Sequence, residues 1–388
     1  MPRGRTLACL LPLLLAPVAD GAAGADPSTD AFQRGRPAIR SMSVLEFAPD
    51  GTLLVGDSKA GAVWALALAG EEPRGEVEKP LRIRDIEGKL AARMGASPDE
   101  VLIHDLAVHP LSKNHFLAVS RGRQAWSSLY EMPNDVADAT LLVRISPDGQ
   151  IDDVPLDDVP FQRADLPNPV EPEKSHRWKT GVSLRADAIT DLAWTEEGIL
   201  VTGLSNEEFA ASLWRLPYPL GRGTARATTL EIFHGAHGEY ETHAPIRTFL
   251  PYTIGDRPHL LASYLCTPLV TFPLADLADG AHVRGTTLAE FGFGNAPIDM
   301  IEVRIGETPR ILMSNSMLPL MTFDPADLGR HPAITSEVTA YTAGVPYTAR
   351  AAAGIQQIDN YGDTLVALLQ RAPNGRLDLT AMPVDRLR

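Results

Sequence analysis

The chain has 388 residues and a formal charge of −14, with hydrophobic residues at 44%. An acidic excess of that size argues against nucleic acid or anionic lipid as a main partner. Its two cysteines, Cys9 and Cys266, supply neither a CxxCH haem attachment nor the paired cysteines of a zinc module.

The N-terminus reads as an export signal. Arg3 and Arg5 precede a short apolar run over 7–18, and Ala23-Gly24-Ala25 fits a small-x-small cleavage site. The run is too short to anchor in a bilayer, and no other stretch is long and apolar enough to span one. The expectation is residues 1–25 as signal peptide and 26–388 as a single domain, soluble in the periplasm or secreted. Cys266 is then the one cysteine left, so packing rather than a disulfide holds the domain together in an oxidising compartment.

Six units follow, each an alternating apolar strand, a tight Pro/Gly/Asp turn, an apolar run and a third strand. In chain order they start at 41 (SMSVLEFAPDGTLLVGD), 102 (LIHDLAVHP), 188 (AITDLAWTEEG), 243 (HAPIRTFLPYTIGD), 294 (GNAPIDMIEVRIGE) and 354 (GIQQIDNYGD). Residues 243–277 and 294–328 align almost without gaps, API on API and PLVTFPLADL on PLMTFDPADL. A fourth strand fits at 79–86, 226–233, 284–291 and 334–341. Four-stranded units repeating at roughly 50 residues describe a β-propeller. The fold expected is all-β: six four-stranded antiparallel blades, the last one completed by an N-terminal strand at 28–34 that leaves no open edge. The long interval between Ile103 and Ile189 leaves seven blades as the alternative.

The segment Ala48-Pro49-Asp50-Gly51-Thr52-Leu53-Leu54-Val55-Gly56-Asp57 resembles the blade signature of the six-bladed superfamily that includes NHL-repeat proteins, SMP-30/gluconolactonase enzymes and strictosidine-synthase-like proteins. The resemblance implies the architecture. For a lactonase it would also imply a divalent cation at the channel mouth, held by a glutamate, asparagines and an aspartate. Asp299 can stand for the aspartate and Asn315 or Asn206 for an asparagine. No acid occupies the glutamate's place at 36–41, and Glu46 lies deeper along its strand. The tryptophan-docking motifs of eight-bladed quinoprotein dehydrogenases are missing.

The turns at one end of the blades are short, whereas the loops at the other end are long, and long loops on a rigid scaffold tend to carry function. Just past the start of each opening strand stand Ser43, His104, Thr190, Arg247, Asp299 and Gln356. They are expected to form a polar ring in the central channel, binding a small polar or anionic ligand or simply lining a wet channel. Asp105 and Asp191, in matching Asp-Leu-Ala contexts, suit hydrogen bonds to neighbouring blades.

The loop HGAHGEYETH gathers His234, His237, Glu239, Glu241 and His243. Cys266 falls where the next unit has Met317. Imidazoles with a thiol or thioether suit a divalent metal or copper; a solvated loop and apolar plugs are the plain alternatives. Three functions are therefore open for a presumed monomer: a propeller binding a small molecule or partner protein on its loop-rich face, a metal-dependent lactonase-like hydrolase, or a copper-handling redox accessory protein.

Overall fold

In the computed structural model the described residues are 32–77, 79–123, 134–176, 183–265 and 268–387. The signal-peptide reading of 1–25 and the role of Cys266 lie outside them. None of the helices described is long and apolar enough to cross a membrane.

The protein is a six-bladed β-propeller, its antiparallel four-stranded sheets set in a ring. The innermost strands, in chain order, are Val44–Phe47, Val101–Val108, Asp191–Thr195, Ile246–Ile254, Pro297–Ile305 and Ile355–Tyr361. They open blades one to six. The second strands carry near-continuous apolar runs, as Leu53–Asp57 and Gly198–Leu204 do, and every residue of these two is buried. A blade sandwiched between two others must be apolar on both faces, which removes the alternation of a half-exposed sheet. The short turns follow local chemistry. In the Ala48–Gly51 turn Gly51 adopts φ +87°, donates to the Ala48 carbonyl, and Asp50 accepts the Thr52 N–H. The left-handed φ is open to glycine without steric cost.

The order of the blades around the ring differs from their order in the chain. Six hydrophobic clusters each bridge one pair of neighbours. Leu45, Leu53 and Trp64 of blade one pack on Ala107 and Phe116 of blade two. Val44 and Leu54 pack on Ile189 and Leu192 of blade three. Blades three and four, four and five, and five and six share clusters. Leu106, Val108 and Leu117 of blade two pack on Leu365 and Leu379 of blade six. The ring therefore runs two, one, three, four, five, six, and back to two.

This arrangement corrects the expected closure. Blade six is completed by Arg82–Ile83, which pairs antiparallel with Leu377–Pro383, and the described part of the expected N-terminal strand, 32–34, lies at blade one instead. Blade one takes its fourth strand from Val159–Asp165, after blade two, and Gln33–Gly35 adds a further strand outside it. The long interval between Ile103 and Ile189 thus holds blade two and the return strand to blade one, and the described residues hold six blades. The expected outer strands at 226–233 and 284–291 are present as Arg226–His234 and Thr286–Phe291. At 334–341 there is none, and Tyr347–Ala349 fills that role in blade five.

The helix Ile86–Met94 follows the closing strand. Asp85 caps it through the Gly88 N–H and Gly95 ends it in a left-handed conformation. Ile86, Leu90 and Ala91 bury into the cluster between blades two and six, which fixes Glu87 at the loop-rich end of the channel.

Candidate functional site: the central channel and a lateral histidine cluster

The six innermost strands surround a cavity of about 1270 Å3 that takes in the starts of these strands and the long-loop end of the ring. All six expected ring residues, Ser43, His104, Thr190, Arg247, Asp299 and Gln356, line it. They do not share one level. A β-bulge interrupts the pairing between Ile103 and Asp105, Ile246 and Thr248, Pro297 and Asp299, and Ile355 and Gln357. The bulged residues are His104, Arg247, Ile298 and Gln356, so Asp299 lies one position deeper, level with Asp105 and Thr248. A bulge re-aims one side chain and tightens the local twist. His104 Nε2 lies 2.6 Å from Ser120 Oγ, Thr190 Oγ1 lies 3.2 Å from Thr202 Oγ1, and Ser43 Oγ accepts the Ser58 N–H. The Arg247 guanidinium pairs at 2.8 Å with Asp187.

Below this level a set of carboxylates links the blades. Asp105 accepts the Leu45 N–H at 2.7 Å, Asp191 the Phe249 N–H at 2.8 Å, Asp299 the Ile358 N–H at 2.9 Å and Asp359 the Val108 N–H at 2.6 Å. Glu46 accepts from the Trp194 N–H. Each of these bonds runs from one blade to the next, so five of the six junctions carry one. At the junction of blades four and five the position of Asp105 and Asp191 is taken by Thr248. Asp105, Asp191, Asp299 and Asp359 also accept the N–H of the residue that follows them. Burial first, then the other carboxylates, push Asp191 up to about 8 and Glu46 and Asp105 well above the usual range. Burial pushes Asp299 up to about 6, and burial with the Asp299 charge takes Asp359 to about 7. The backbone N–H groups pull in the opposite direction, because they favour the ionised form.

The mouth is basic. Arg40, Lys59, Arg185, Arg247 and Arg371 line it. Asp57, wholly buried, holds two of the loops that carry them: it accepts the N–H groups of Arg40, Ser41 and Ala60 and the Ser41 hydroxyl. Arg185 sits on the 3-10 turn Leu184–Ala188, capped by Ser183, and donates to the Val170 carbonyl at 2.6 Å. Burial lowers its pKa, Asp57 opposes that shift, and Arg40 adds to it. Arg371 is held by a bidentate pair with Glu87.

The lactonase-type donors do not assemble here. Asn315 is buried against Asn295 and the Met313 carbonyl, Asn206 receives Lys174, and neither lines the cavity.

The histidine loop lies away from the channel. His234, His237 and Glu241 come together, their ligand atoms all within 4.8 Å of one another. His243 is exposed and engages Thr242, outside this group. Met317 is exposed at 59% rather than a plug. Three functional features escaped the sequence. Arg40, Lys59 and Arg185 stand in loops with no shared motif. Asp57 belongs to a recognised blade motif, and its anchoring role shows only in three dimensions. Glu290, beside His234, comes from the next blade.

No protein-family model matches this chain, and no curated protein is similar to it.

Proposed function

We propose that this propeller acts outside the cytoplasm, as a monomer, and binds a small anionic molecule, of the carboxylate or phosphate class, at the loop-rich mouth of its central channel. The observation that carries this reading is the basic rim. Arg40, Lys59, Arg185, Arg247 and Arg371 line the same cavity as the polar groups of Ser43, His104, Thr190 and Gln356. Guanidinium groups prefer planar, charge-bearing oxygens, and a concave site with few converging polar groups is the usual form of a ligand pocket. The same rim opposes the cation of a lactonase-like site, which would need several oxygen donors at the mouth. The likeness of Ala48–Asp57 to NHL and SMP-30 blades supports the architecture and carries no activity with it.

The test is a binding screen by thermal shift and calorimetry, with phosphate and a panel of mono-, di- and hydroxycarboxylates as probes. A bound probe should raise the melting temperature, and its affinity should fall at least about tenfold in Arg185→Ala and Arg247→Ala, the worth of one charge-assisted hydrogen bond. Equal affinity in both variants, or no shift from any probe, would sink the proposal.

A further inference from the structure

On the flank of the ring, the turn that ends the outer strand of blade three brings together chemistry that the channel does not use. His234 closes the strand Arg226–His234, and the chain doubles back as Glu239–Glu241, with Ile232 opposite Glu241. This register sets the Glu241 carboxylate between two imidazoles. Its Oε1 is 2.6 Å from His237 Nδ1, its Oε2 is 3.1 Å from His234 Nδ1, and the two ring centroids are 4.0 Å apart. In a tetrahedral site with bonds of about 2.0–2.1 Å, donor atoms stand about 3.3 Å apart. One ligand atom from each of the three lies within 4.8 Å of the others, so small side-chain rotations bring them to the spacing of a metal site.

A second observation comes from blade four. The other nitrogen of His234, Nε2, faces Glu290 Oε2 at 3.9 Å, and both side chains are almost completely buried, at 3% and 2% exposed. Glu290 is itself held in place, because its Oε1 accepts the Gly235 N–H at 2.6 Å. A carboxylate behind the far nitrogen of an imidazole is the usual outer partner of a metal-bound histidine; at 3.9 Å this pair is a charge contact, which a small rotation closes to a hydrogen bond. The turn is packed to hold this geometry. A side chain at Gly235 would press on Ile334, on Val338 and on the Glu290 carboxylate, and the Val338 N–H binds the Gly235 carbonyl. The cover comes from 334–338, while His237 and Glu241 remain partly open, at 36% and 23%.

We propose that His234, His237 and Glu241 bind a divalent cation of the zinc class, with Glu290 as the buried positioning residue behind His234. Two imidazoles and one carboxylate suit a borderline ion. Three protein donors leave a position for water on the open side, the arrangement of sites that exchange a ligand. None of the four residues lines the channel, so this site is independent of the proposed anion site. Of the cluster read in the sequence it keeps His234, His237 and Glu241, leaves out His243, and adds Glu290 from blade four; Cys266 lies outside the described residues.

The experiment uses the mature chain without a histidine tag, stripped with a chelator, dialysed and titrated with zinc chloride by calorimetry and elemental analysis. A single equivalent should bind at micromolar concentration or tighter. His237→Ala and Glu241→Gln, both at partly exposed positions, should lower the affinity at least about tenfold while circular dichroism shows the fold intact. Glu290→Gln should lower it about 10–100-fold at unchanged stoichiometry, and His243→Ala should leave it unchanged. A wild-type chain that takes up no zinc, a His237→Ala variant that binds like wild type, or a His243→Ala variant that loses binding would overturn the site. Wild-type affinity in Glu290→Gln would overturn the positioning role.

Discussion

Asp191 is the place to test the carboxylate links between blades. Its two oxygens accept the Leu192 and Phe249 N–H groups, each at 2.8 Å, and both residues are 4% exposed. Asp191→Ala removes the acceptor for both amides at the junction of blades three and four. A buried donor left without a partner costs about 1–3 kcal/mol. Channel water can reach this wall, so the low end applies to each amide and about 2–4 kcal/mol is expected in total at about pH 4, where the Asp191 contribution is fully present. Asp191→Asn keeps one good acceptor and should cost about 1–2 kcal/mol at low pH. Its pH dependence is the stricter measurement. The folded-state pKa of Asp191 is pushed up to about 8, by burial and then by the Asp299 charge, against about 3.9 in an unfolded chain. A group raised in this way gives its full contribution below about pH 4 and loses it as pH rises toward about 8. Asparagine does not ionise, so the penalty of Asp191→Asn must shrink between about pH 5 and about pH 8. Urea midpoints at several pH values, with hydrogen exchange at the Phe249 amide as the local probe, measure both effects. At about pH 4, Asp191→Ala within about 0.5 kcal/mol of wild type, or an Asn penalty that grows with pH, would refute the reasoning.

Two further predictions concern the scaffold. Ile83→Ala, at the two-residue strand that completes blade six, should cost about 2–5 kcal/mol in urea unfolding, because Ile83 is buried against the cluster between blades two and six. Deletion of the partly exposed edge strand Gln33–Gly35 should cost less than Ile83→Ala, and the reverse ranking would restore the N-terminal closure. Gly203→Ala would drive a methyl into the Ala188 carbonyl and displace the turn that carries Arg185 and Asp187. A loss of about 1–3 kcal/mol, together with weaker binding of any channel anion, is expected in melting and calorimetric measurements; an unperturbed variant would contradict that packing.

The inner strands were legible because burial on one or both faces writes a strong pattern into the residues, and the near-duplicate units at 243–277 and 294–328 fixed the architecture. The ring order was not legible. It depends on which blade edge the strands Arg82–Ile83 and Val159–Asp165 join. One is two residues long, and the other ends in the largely exposed Arg163-Ala164-Asp165, so no apolar pattern selects a partner. The polar ring was legible in membership but not in level: a bulge inserts a residue without any change of composition, and matching Ile298 to Ile246 set Asp299 one step too high. The structural reading of Asp105 and Asp191 carried further than expected, since Asp299 and Asp359 make the same kind of link. In the histidine loop the local cluster was visible, whereas Glu290 reaches it only through packing between blades.

The exchanged order of blades one and two also constrains how the chain is built. Blade two, contiguous from Val101 to Asp153, is the first blade whose four main strands have all been synthesised. Blade one waits for Val159–Asp165, although its inner strands are made first. The final pairing joins Leu379 to Ile83, and contacts between such distant segments pay the largest loop-closure entropy. A ribosome-bound chain can therefore assemble isolated blades but no ring. Until its last strand emerges, the apolar faces of blades two and six that later cover each other stay exposed, and this interval is when the nascent protein most needs protection from aggregation.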